Sequence, residues 1–300
     1  MEKIAPSVTT GQTGFVAAGD GLRLAVETRH ADGAPTLLFA HGFGQTRGAW
    51  NGAAAALAAG GCRCISYDAR GHGESGRLPD GRYHMQQFAD DLLAVARAQS
   101  TPPILVGASM GGLLGLVTAG ETRPAPFRAL VLVDITPRWE TRGVERILAF
   151  MQAHPEGFAD YAEAAEQIAA YLPHRAGRKS EEQLRPLLRE GVDGRLRWHW
   201  DPALLAGDLV AESERYQPRL FAAAAQVDVP VLLLSGARSD VVSHATVAEF
   251  LQLVPHARHV EVANATHMLA GDANDAFTRE IASFIETLND GDARRGIAAM

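Results

Sequence analysis

The chain has 300 residues, of which 47% are hydrophobic and 21% charged, and its formal net charge at pH 7 is −7. These values are ordinary for a soluble globular protein and exclude a disordered chain, a collagen-like chain and a disulfide scaffold. Because an acidic surface repels nucleic acid and anionic membranes, we expect a small-molecule substrate and neither of those as partner.

The chain is expected to be cytoplasmic, because its first twenty residues contain no apolar stretch long enough for a signal peptide. Residues 98–120 carry no charge, but prolines and glycines interrupt them, which disfavours a membrane-spanning helix. Cys62 and Cys64 are expected to be small core residues, since a disulfide between positions i and i+2 of a strand would be strained. The sequence makes no prediction of oligomeric state.

Short apolar runs alternate with helical patterns over the first 136 residues, which is typical of an α/β protein. The predicted elements follow in chain order: strands at Leu22–Arg29 and Thr36–Ala40, a helix at Trp50–Ala59, a strand at Arg63–Tyr67, a helix at His84–Ala98, a strand at Ile104–Ala108, a helix at Met110–Ala119 and a strand at Ala129–Ile135.

The pattern changes at Pro137, after which helical segments rich in Ala, Glu and Arg continue to about Pro218 without a strong strand. The alternation then returns, with a strand at Val229–Ser235, a helix at Ala245–Val254, a strand at Ala257–Val262 and a helix from about Asp272 to Leu288. We therefore expect one α/β core formed by residues 1–136 and 219–290, a helical lid at 137–218 and a flexible tail at 291–300.

The strongest chemical motif is Gly107-Ala108-Ser109-Met110-Gly111, which follows a predicted strand and opens a predicted helix. A serine at such a sharp turn is pushed out of the sheet, and the crowded turn explains Gly107 and Gly111. The helix N-terminus behind it favours developing negative charge. Ser109 is therefore the predicted nucleophile.

A second motif, His41-Gly42-Phe43-Gly44, also follows a strand. A tetrahedral intermediate needs two donors aimed at its oxyanion, and we expect these to be the backbone N–H groups of Phe43 and Met110. A simple strand-end turn is the alternative interpretation, and His41 is expected to be structural, holding the loop by a hydrogen bond.

A nucleophilic serine needs a base and a group that orients the base. Of the eleven histidines, His267 alone follows the last strand and precedes the last helix, so we expect it to be the base. Asp240 and Asp134 are the candidate acids. The order Ser, Asp, His and a strand-end position favour Asp240, whereas Asp134 is interpreted as capping a strand or holding the hinge of the lid.

These motifs, together with Tyr67–Ser75 (YDARGHGES), resemble those of the α/β-hydrolase superfamily. The resemblance implies a mostly parallel eight-stranded sheet with helices on both faces and a helical lid after the sixth strand. It also implies that residues 70–73 (Arg-Gly-His-Gly) form a structural turn after the fourth strand. No metal and no organic cofactor is expected.

Within this superfamily, epoxide hydrolases and haloalkane dehalogenases use an aspartate nucleophile, whereas position 109 is Ser. The SMGG stretch is similar to that of hydrolases that cleave carbon–carbon bonds, but those carry Asn before the serine and Trp after the histidine, where this chain has Ala108 and Met268. The expected function is hydrolysis of a carboxylic ester or related acyl bond through an acyl-enzyme. A lactonase, a C–C hydrolase, a cofactor-free perhydrolase and a ligand receptor with vestigial hydrolysis remain open.

Apolar and aromatic residues of the lid suggest a small to medium apolar substrate. The candidates for contact with it are Trp139, Phe150, Met151, Trp198 and Trp200. Each of them could equally form the core of the lid itself. The Arg-rich stretch Arg175–Arg197 could meet a carboxylate, but it also contains glutamates, and a solvated helix face explains it equally well.

Overall fold

The computed structural model of the chain describes residues 11–30, 32–171, 177–207, 209–263, 265–267 and 274–298. These residues contain the strands β1 (Gln12–Ala17), β2 (Arg23–Arg29), β3 (Thr36–Ala40), β4 (Arg63–Tyr67), β5 (Ile104–Ala108), β6 (Ala129–Val133), β7 (Leu188–Glu190), β8 (Leu196–Trp198), β9 (Val231–Gly236) and β10 (Arg258–Val262).

Helices follow most of the strands. Those in the described residues are α1 (Asn51–Ala59), α2 (Met85–Arg97), α3 (Met110–Glu121), α4 (Thr141–Gln152), α5 (Tyr161–Tyr171), α6 (Glu181–Leu184), α7 (Leu209–Ala224), α8 (His244–Leu253) and α9 (Asn274–Ala298). Short 3-10 helices cover Arg47–Trp50 and Pro202–Leu205. Among the described residues, no helix is both long enough and apolar enough to cross a membrane.

Eight strands form one sheet in the order β1-β2-β4-β3-β5-β6-β9-β10. β2 pairs antiparallel with β1 and β4, and all pairs from β4 to β10 are parallel. The predicted mostly parallel eight-stranded sheet is thereby confirmed. Since parallel strands end at the same edge, the residues after β3, β5, β6, β9 and β10 converge there.

Both faces of the sheet are covered, because side chains of its central strands alternate between two apolar layers. On β3, Leu38 and Ala40 join a cluster with α2, α3 and α8, while Leu37 and Phe39 join a cluster with α1 and α9. Helices therefore lie on both faces, as predicted. Cys62 and Cys64 are free thiols buried in the second layer.

The segment 137–224 lies between β6 and β9 in the chain and is called the insertion below; the secondary structure of its described residues differs from the prediction. A hairpin of β7 and β8 contains the last ten residues of the stretch 175–197, for which a solvated helix face was one of two interpretations, and α6 covers Glu181–Leu184. The boundary expected at Pro218 falls inside α7. β7 and β8 have three residues each and are joined by residues 191–195. They are too short to show the alternation of apolar and polar residues that identifies a strand in a sequence.

The ends of the chain also differ from the prediction. β1 was not predicted, because it is an edge strand with only partly buried side chains and therefore shows no apolar run. At the other end, α9 continues to Ala298, whereas the last helix was predicted to end at Leu288. A flexible tail at 291–300 stays a prediction. Asp272, where the last helix was expected to begin, lies outside the described residues, as does Met268.

The turn after β4 is tied to α2 by a buried ion pair. Arg70 donates from Nε and Nη2 to the two oxygens of Asp91, at 2.7 and 2.6 Å, and from Nη1 to Asp20. Both Arg70 and Asp91 are almost fully buried, so the charges lie in a low-dielectric region where their pairing is required. This pair fixes the turn against which the candidate site is built.

Candidate active site

Ser109 lies between β5 and α3 in a strained backbone conformation, with φ 47° and ψ −117°. Non-glycine residues rarely adopt positive φ, and they keep it only where the surrounding structure imposes it. Here the Ser109 N–H donates to the carbonyl of Val133 at the end of β6, at 3.1 Å, and the Ser109 carbonyl accepts from Gly112 at the start of α3. Ser109 is thus held at the carboxyl edge of the sheet.

The glycines around Ser109 are required by close backbone contacts. A Cβ on Gly107 would lie 2.6 Å from the Gly111 backbone, and one on Gly111 would lie 2.3 Å from the Ala40 carbonyl oxygen. A Cβ on Gly42 would lie 3.3 Å from the Ser109 Cβ, so the loop after β3 directly faces the serine. The expected role of Gly107 and Gly111 in a crowded turn is therefore confirmed.

His267 forms its side-chain hydrogen bond with Asp134. Its Nδ1 lies 2.7 Å from Asp134 Oδ2, and the carboxylate is fully buried. Asp134 also accepts hydrogen bonds from the Gly236 N–H, at 2.8 Å, and from the Ser239 hydroxyl. Because a carboxylate accepts at Nδ1, the proton of the neutral ring lies there and Nε2 is the ring nitrogen available as a base.

The prediction that Asp240 orients His267 is wrong. Its carboxylate instead pairs with Arg146 at 2.6 Å, and its side chain is 36% exposed. Both aspartates satisfy the order Ser, Asp, His, so that criterion could not separate them. The error lay in placing Asp134 inside a strand, whereas β6 ends at Val133 and Asp134 is the first residue of the strand-end turn.

The position of Asp134 follows from the order of the strands. β6 lies between β5 and β9, and the Asp134 N–H donates to the Leu234 carbonyl of β9 at 2.7 Å. Asp134 also adopts a positive φ of 50°, which turns the chain out of the sheet at this point. Ser109 and Asp134 therefore lie at the ends of adjacent strands.

The backbone N–H groups of the loop after β3 differ in whether they have an acceptor. The Gly42 N–H donates to Gln45 Oε1 at 3.1 Å, and the Gly44 N–H donates to His72 Nε2 at 3.1 Å. Within the described part of the chain, the N–H groups of Phe43 and Met110 have no hydrogen-bond acceptor. Two unpaired donors are thus present, one in this loop and one at the start of α3.

Two buried histidines support this loop in defined tautomers. His41 donates from Nδ1 to the Gly42 carbonyl at 2.8 Å and accepts at Nε2 from the Ala69 N–H. His72 donates from Nδ1 to the Arg70 carbonyl at 2.9 Å and accepts at Nε2 from the Gly44 N–H. Burial lowers the pKa of both rings, and that of His72 well below its usual range. Both therefore serve as neutral structural groups.

A third buried histidine, His199, comes from the insertion and was given no role by the sequence. Its Nδ1 accepts from the Gly73 N–H at 3.0 Å, and its Nε2 lies 3.2 Å from the Gly44 carbonyl oxygen. Burial lowers the pKa of His199 to about 4. The only signal for it in the sequence is its place between two tryptophans, which is typical of a buried segment.

The five aromatic and apolar candidates for substrate contact lie in different places. Met151 and Trp200 reach the loop after β3, since a Cβ on Gly44 would lie 2.7 Å from Met151 Cε and 3.3 Å from Trp200 Cζ3. Trp198 stacks on Trp200 with ring centroids 4.7 Å apart, and Phe150 stacks on Tyr171.

The fifth candidate, Trp139, is buried in the apolar layer that also contains Met151 and Trp200. Phe150, by contrast, packs against the separate core of the insertion. Contact with a substrate stays a prediction for all five residues, and Met151 and Trp200 are the ones that the structure brings to the loop facing Ser109.

A family model described as the alpha/beta hydrolase fold matches residues 35–273. The chain belongs to the α/β-hydrolase family. It is 31% identical over 247 residues to 3-hydroxybutyrate-oligomer hydrolase of Cupriavidus necator. The aligned residues cover 77% of this chain and 82% of that protein. It is 30% identical over 266 residues to the sn-1-specific diacylglycerol lipase ABHD11 of Mus musculus, covering 84% and 81% of the two chains.

Solved structures of the family agree with this assignment. The crystal structure of E-2-(acetamidomethylene)succinate hydrolase superposes with a TM-score of 0.78 at 26% identity and covers 92% of this chain and 99% of that chain. The α/β-hydrolase resemblance seen in the sequence motifs is thereby confirmed, and hydrolases are found among both the sequence relatives and the structural neighbours.

The His267–Asp134 pair predicts a distinct proton resonance. A ring Nδ1–H donated to a buried carboxylate is shielded from exchange with water, so wild type should show a low-field imidazole proton signal that belongs to His267. We expect Asp134→Asn to abolish or strongly shift this signal and Asp240→Asn to leave it unchanged. A signal that responds to Asp240→Asn instead would contradict the pairing.

The low pKa of His199 predicts a pH dependence of stability. The folded ring binds a proton only near pH 4, whereas the unfolded ring binds one near pH 6.5. The contribution of the neutral His199 ring to the stability of the folded protein is therefore fully present above pH 6.5. It is lost progressively as the pH falls to about 4, because the unfolded state binds more protons in this range. We expect the free energy of unfolding, measured by urea titration at each pH, to decrease less steeply with falling pH in His199→Gln than in wild type. The two slopes should differ by up to about one bound proton. An equal slope in both proteins would contradict the burial of a neutral ring.

Proposed function

We propose that this protein is a serine hydrolase that cleaves a carboxylic ester or related acyl bond through an acyl-enzyme. Ser109 is the nucleophile, His267 is the general base and Asp134 is the carboxylate that orients it. The observation that carries the proposal is the buried His267–Asp134 hydrogen bond at the same sheet edge as the strained Ser109 turn. Asp134 takes the role that the sequence had given to Asp240.

In the first half of the reaction, Ser109 Oγ attacks the carbonyl carbon of the substrate while His267 Nε2 takes the hydroxyl proton. Asp134 keeps Nδ1 protonated and stabilises the imidazolium that forms. The tetrahedral intermediate then collapses, the bond to the leaving alcohol breaks, and His267 returns its proton to that oxygen. The acyl group remains bonded to Ser109.

In the second half, His267 takes a proton from a water molecule whose oxygen attacks the acyl carbon. Collapse of this second intermediate releases the carboxylic acid and returns the proton to Ser109. The negative charge of both intermediates lies on the former carbonyl oxygen. We assign its stabilisation to the N–H groups of Phe43 and Met110, which are unpaired in the described structure, each contributing about 3 kcal/mol in comparable sites.

The names of the relatives support ester hydrolysis as the reaction. A hydroxybutyrate oligomer and a diacylglycerol, after which two of them are named, both contain carboxylic ester bonds. Met151 and Trp200 lie against the loop that faces Ser109, which favours an apolar acyl or alcohol group of small to medium size. The proposed substrate is therefore a small to medium apolar ester.

The role of Ser109 is tested by Ser109→Ala, with the exposed Ser100→Ala as the matched control. We expect Ser109→Ala to lower kcat for p-nitrophenyl esters by on the order of 10⁶-fold, because the acyl-enzyme cannot form. It should also abolish covalent labelling by a fluorophosphonate, read by intact-protein mass. Ser100→Ala should behave as wild type in both assays.

Retention of hydrolysis or labelling in Ser109→Ala would contradict the assignment. Esters of increasing chain length, together with a lactone of matched size, measure which acyl bond the wild-type protein prefers. Steady multiple turnover supports an enzyme, whereas a single burst followed by tight product retention would instead indicate a ligand receptor.

A further inference from the structure

Three backbone groups of the loop after β3 are each held by an imidazole. His41 binds the Gly42 carbonyl, His72 binds the Gly44 N–H, and His199 lies 3.2 Å from the Gly44 carbonyl oxygen. The first two rings belong to the α/β core, and the third comes from the insertion. Phe43, whose N–H is unpaired, lies between the groups that these rings hold.

The direction of the His199 contact follows from its other nitrogen. Nδ1 faces the Gly73 N–H at 3.0 Å, and a backbone N–H can only donate, so Nδ1 carries no proton. The neutral ring therefore carries its proton on Nε2 and donates it to the Gly44 carbonyl. His199 bridges the turn after β4 and the loop after β3.

His199 is buried, and the segment around it is held by contacts with the turn after β4 and with Trp200 of the insertion. The ring is 2% exposed, and it contacts the rings of His72 and Trp200. The His199 carbonyl accepts from the Arg77 guanidinium at 2.9 Å, and the next-but-one residue, Asp201, donates its N–H to the Gly71 carbonyl. A side chain held in this way imposes its position on the loop it contacts.

Gly44 needs such support because of its backbone conformation. Its φ is +75°, which only glycine adopts readily, and Gly44 has wide rotational freedom when nothing holds it. Its N–H and its carbonyl are both anchored, by His72 and His199 respectively. His41 holds the peptide that contains the Phe43 N–H, and His72 holds the peptide between Phe43 and Gly44. His199 holds the peptide after Gly44, so rotation about the Gly44 backbone cannot move the loop away from the other two contacts.

We propose that His199 is a positioning residue for the oxyanion donors: its Nε2–H holds the Gly44 carbonyl, so that the insertion fixes the end of the loop whose peptides carry the Phe43 N–H. This inference rests on the proposed function, in which Phe43 stabilises the oxyanion. His199 touches neither the substrate nor the reacting atoms. It acts through the loop alone.

A donor that is aimed at the oxyanion contributes in the transition state and not in the bound substrate. Loss of the His199 contact should therefore lower kcat while KM changes little. A displacement of about 1 Å in such a group costs roughly 100-fold in rate. A residue that merely packs the insertion would lower stability or raise KM instead.

Two substitutions separate the contacts of the two ring nitrogens. The amide nitrogen of Gln reaches the position of Nε2 and can still donate to the Gly44 carbonyl. The amide oxygen of Asn reaches the position of Nδ1, so it can accept from the Gly73 N–H but leaves Gly44 without a donor. We expect kcat for p-nitrophenyl butyrate to fall about 10- to 100-fold in His199→Asn and to stay within about threefold of wild type in His199→Gln.

The control is His244→Asn, because the side chain of His244 is 90% exposed. It should leave kcat, KM and the melting temperature unchanged. A wild-type kcat in a folded His199→Asn would overturn the proposal, as would equal losses of kcat in the Asn and Gln variants. Absence of ester turnover by the wild-type protein would instead contradict the proposed function.

A measurement on the wild-type protein keeps the proposal testable if His199→Asn does not fold. Two-bond ¹⁵N couplings of the histidine rings report which nitrogen carries the proton, and the His199 signals are assigned by their loss in His199→Gln. We expect the Nε2–H tautomer at pH 7. An Nδ1–H tautomer or a doubly protonated ring would overturn the proposal, since neither matches a donor to Gly44 and an acceptor from Gly73.

Discussion

The carboxylate of Asp134 is the interaction on which the candidate site depends. It is fully buried at the end of β6, and it accepts hydrogen bonds from the Gly236 N–H at the end of β9, from the Ser239 hydroxyl and from His267. A buried carboxylate without such donors would be strongly destabilising. The same three contacts that satisfy its charge therefore also fix the loop after β9 and the ring of His267.

A second constraint is the dense support of the loop after β3. This loop contacts Ser109 through Gly42, the α/β core through His41 and His72, and the insertion through His199, Met151 and Trp200. Buried rings that both donate and accept hold a backbone in one conformation better than apolar packing does, because each contact has a direction. Preorganised donors of this kind are what acyl transfer requires, because reorienting them during the reaction would cost energy.

Sequence patterns predicted the centre of the sheet well. β3, β4 and β5 have the predicted bounds, because strands buried on both faces appear in the sequence as short runs of mostly apolar residues. The same approach missed β1, which is partly exposed along its length, and the hairpin of β7 and β8, whose strands are too short to show alternation. Ser109, His267, Phe43 and Met110 were predicted from strand-end position and motif, and their roles belong to the proposed function.

The sequence could not choose the acid, because strand order in space is absent from a one-dimensional pattern. Asp134 and Asp240 both follow strands, and β6 and β9 are neighbours in the sheet, so either carboxylate could have faced His267. One signal was available: Asp134 directly follows five apolar residues, and an aspartate so close to a buried strand needs several hydrogen-bond donors. His199 could not be predicted, since its contacts join residues 155 positions apart.

The central claim is that catalysis proceeds through an acyl group bonded to Ser109, and it is tested most directly by trapping that intermediate. Wild-type protein mixed with p-nitrophenyl butyrate and quenched in acid within the first turnover should gain the mass of one butyryl group, and peptide mapping should place it on Ser109. Turnover without any adduct in the presteady state, or an adduct on another residue, would contradict the account.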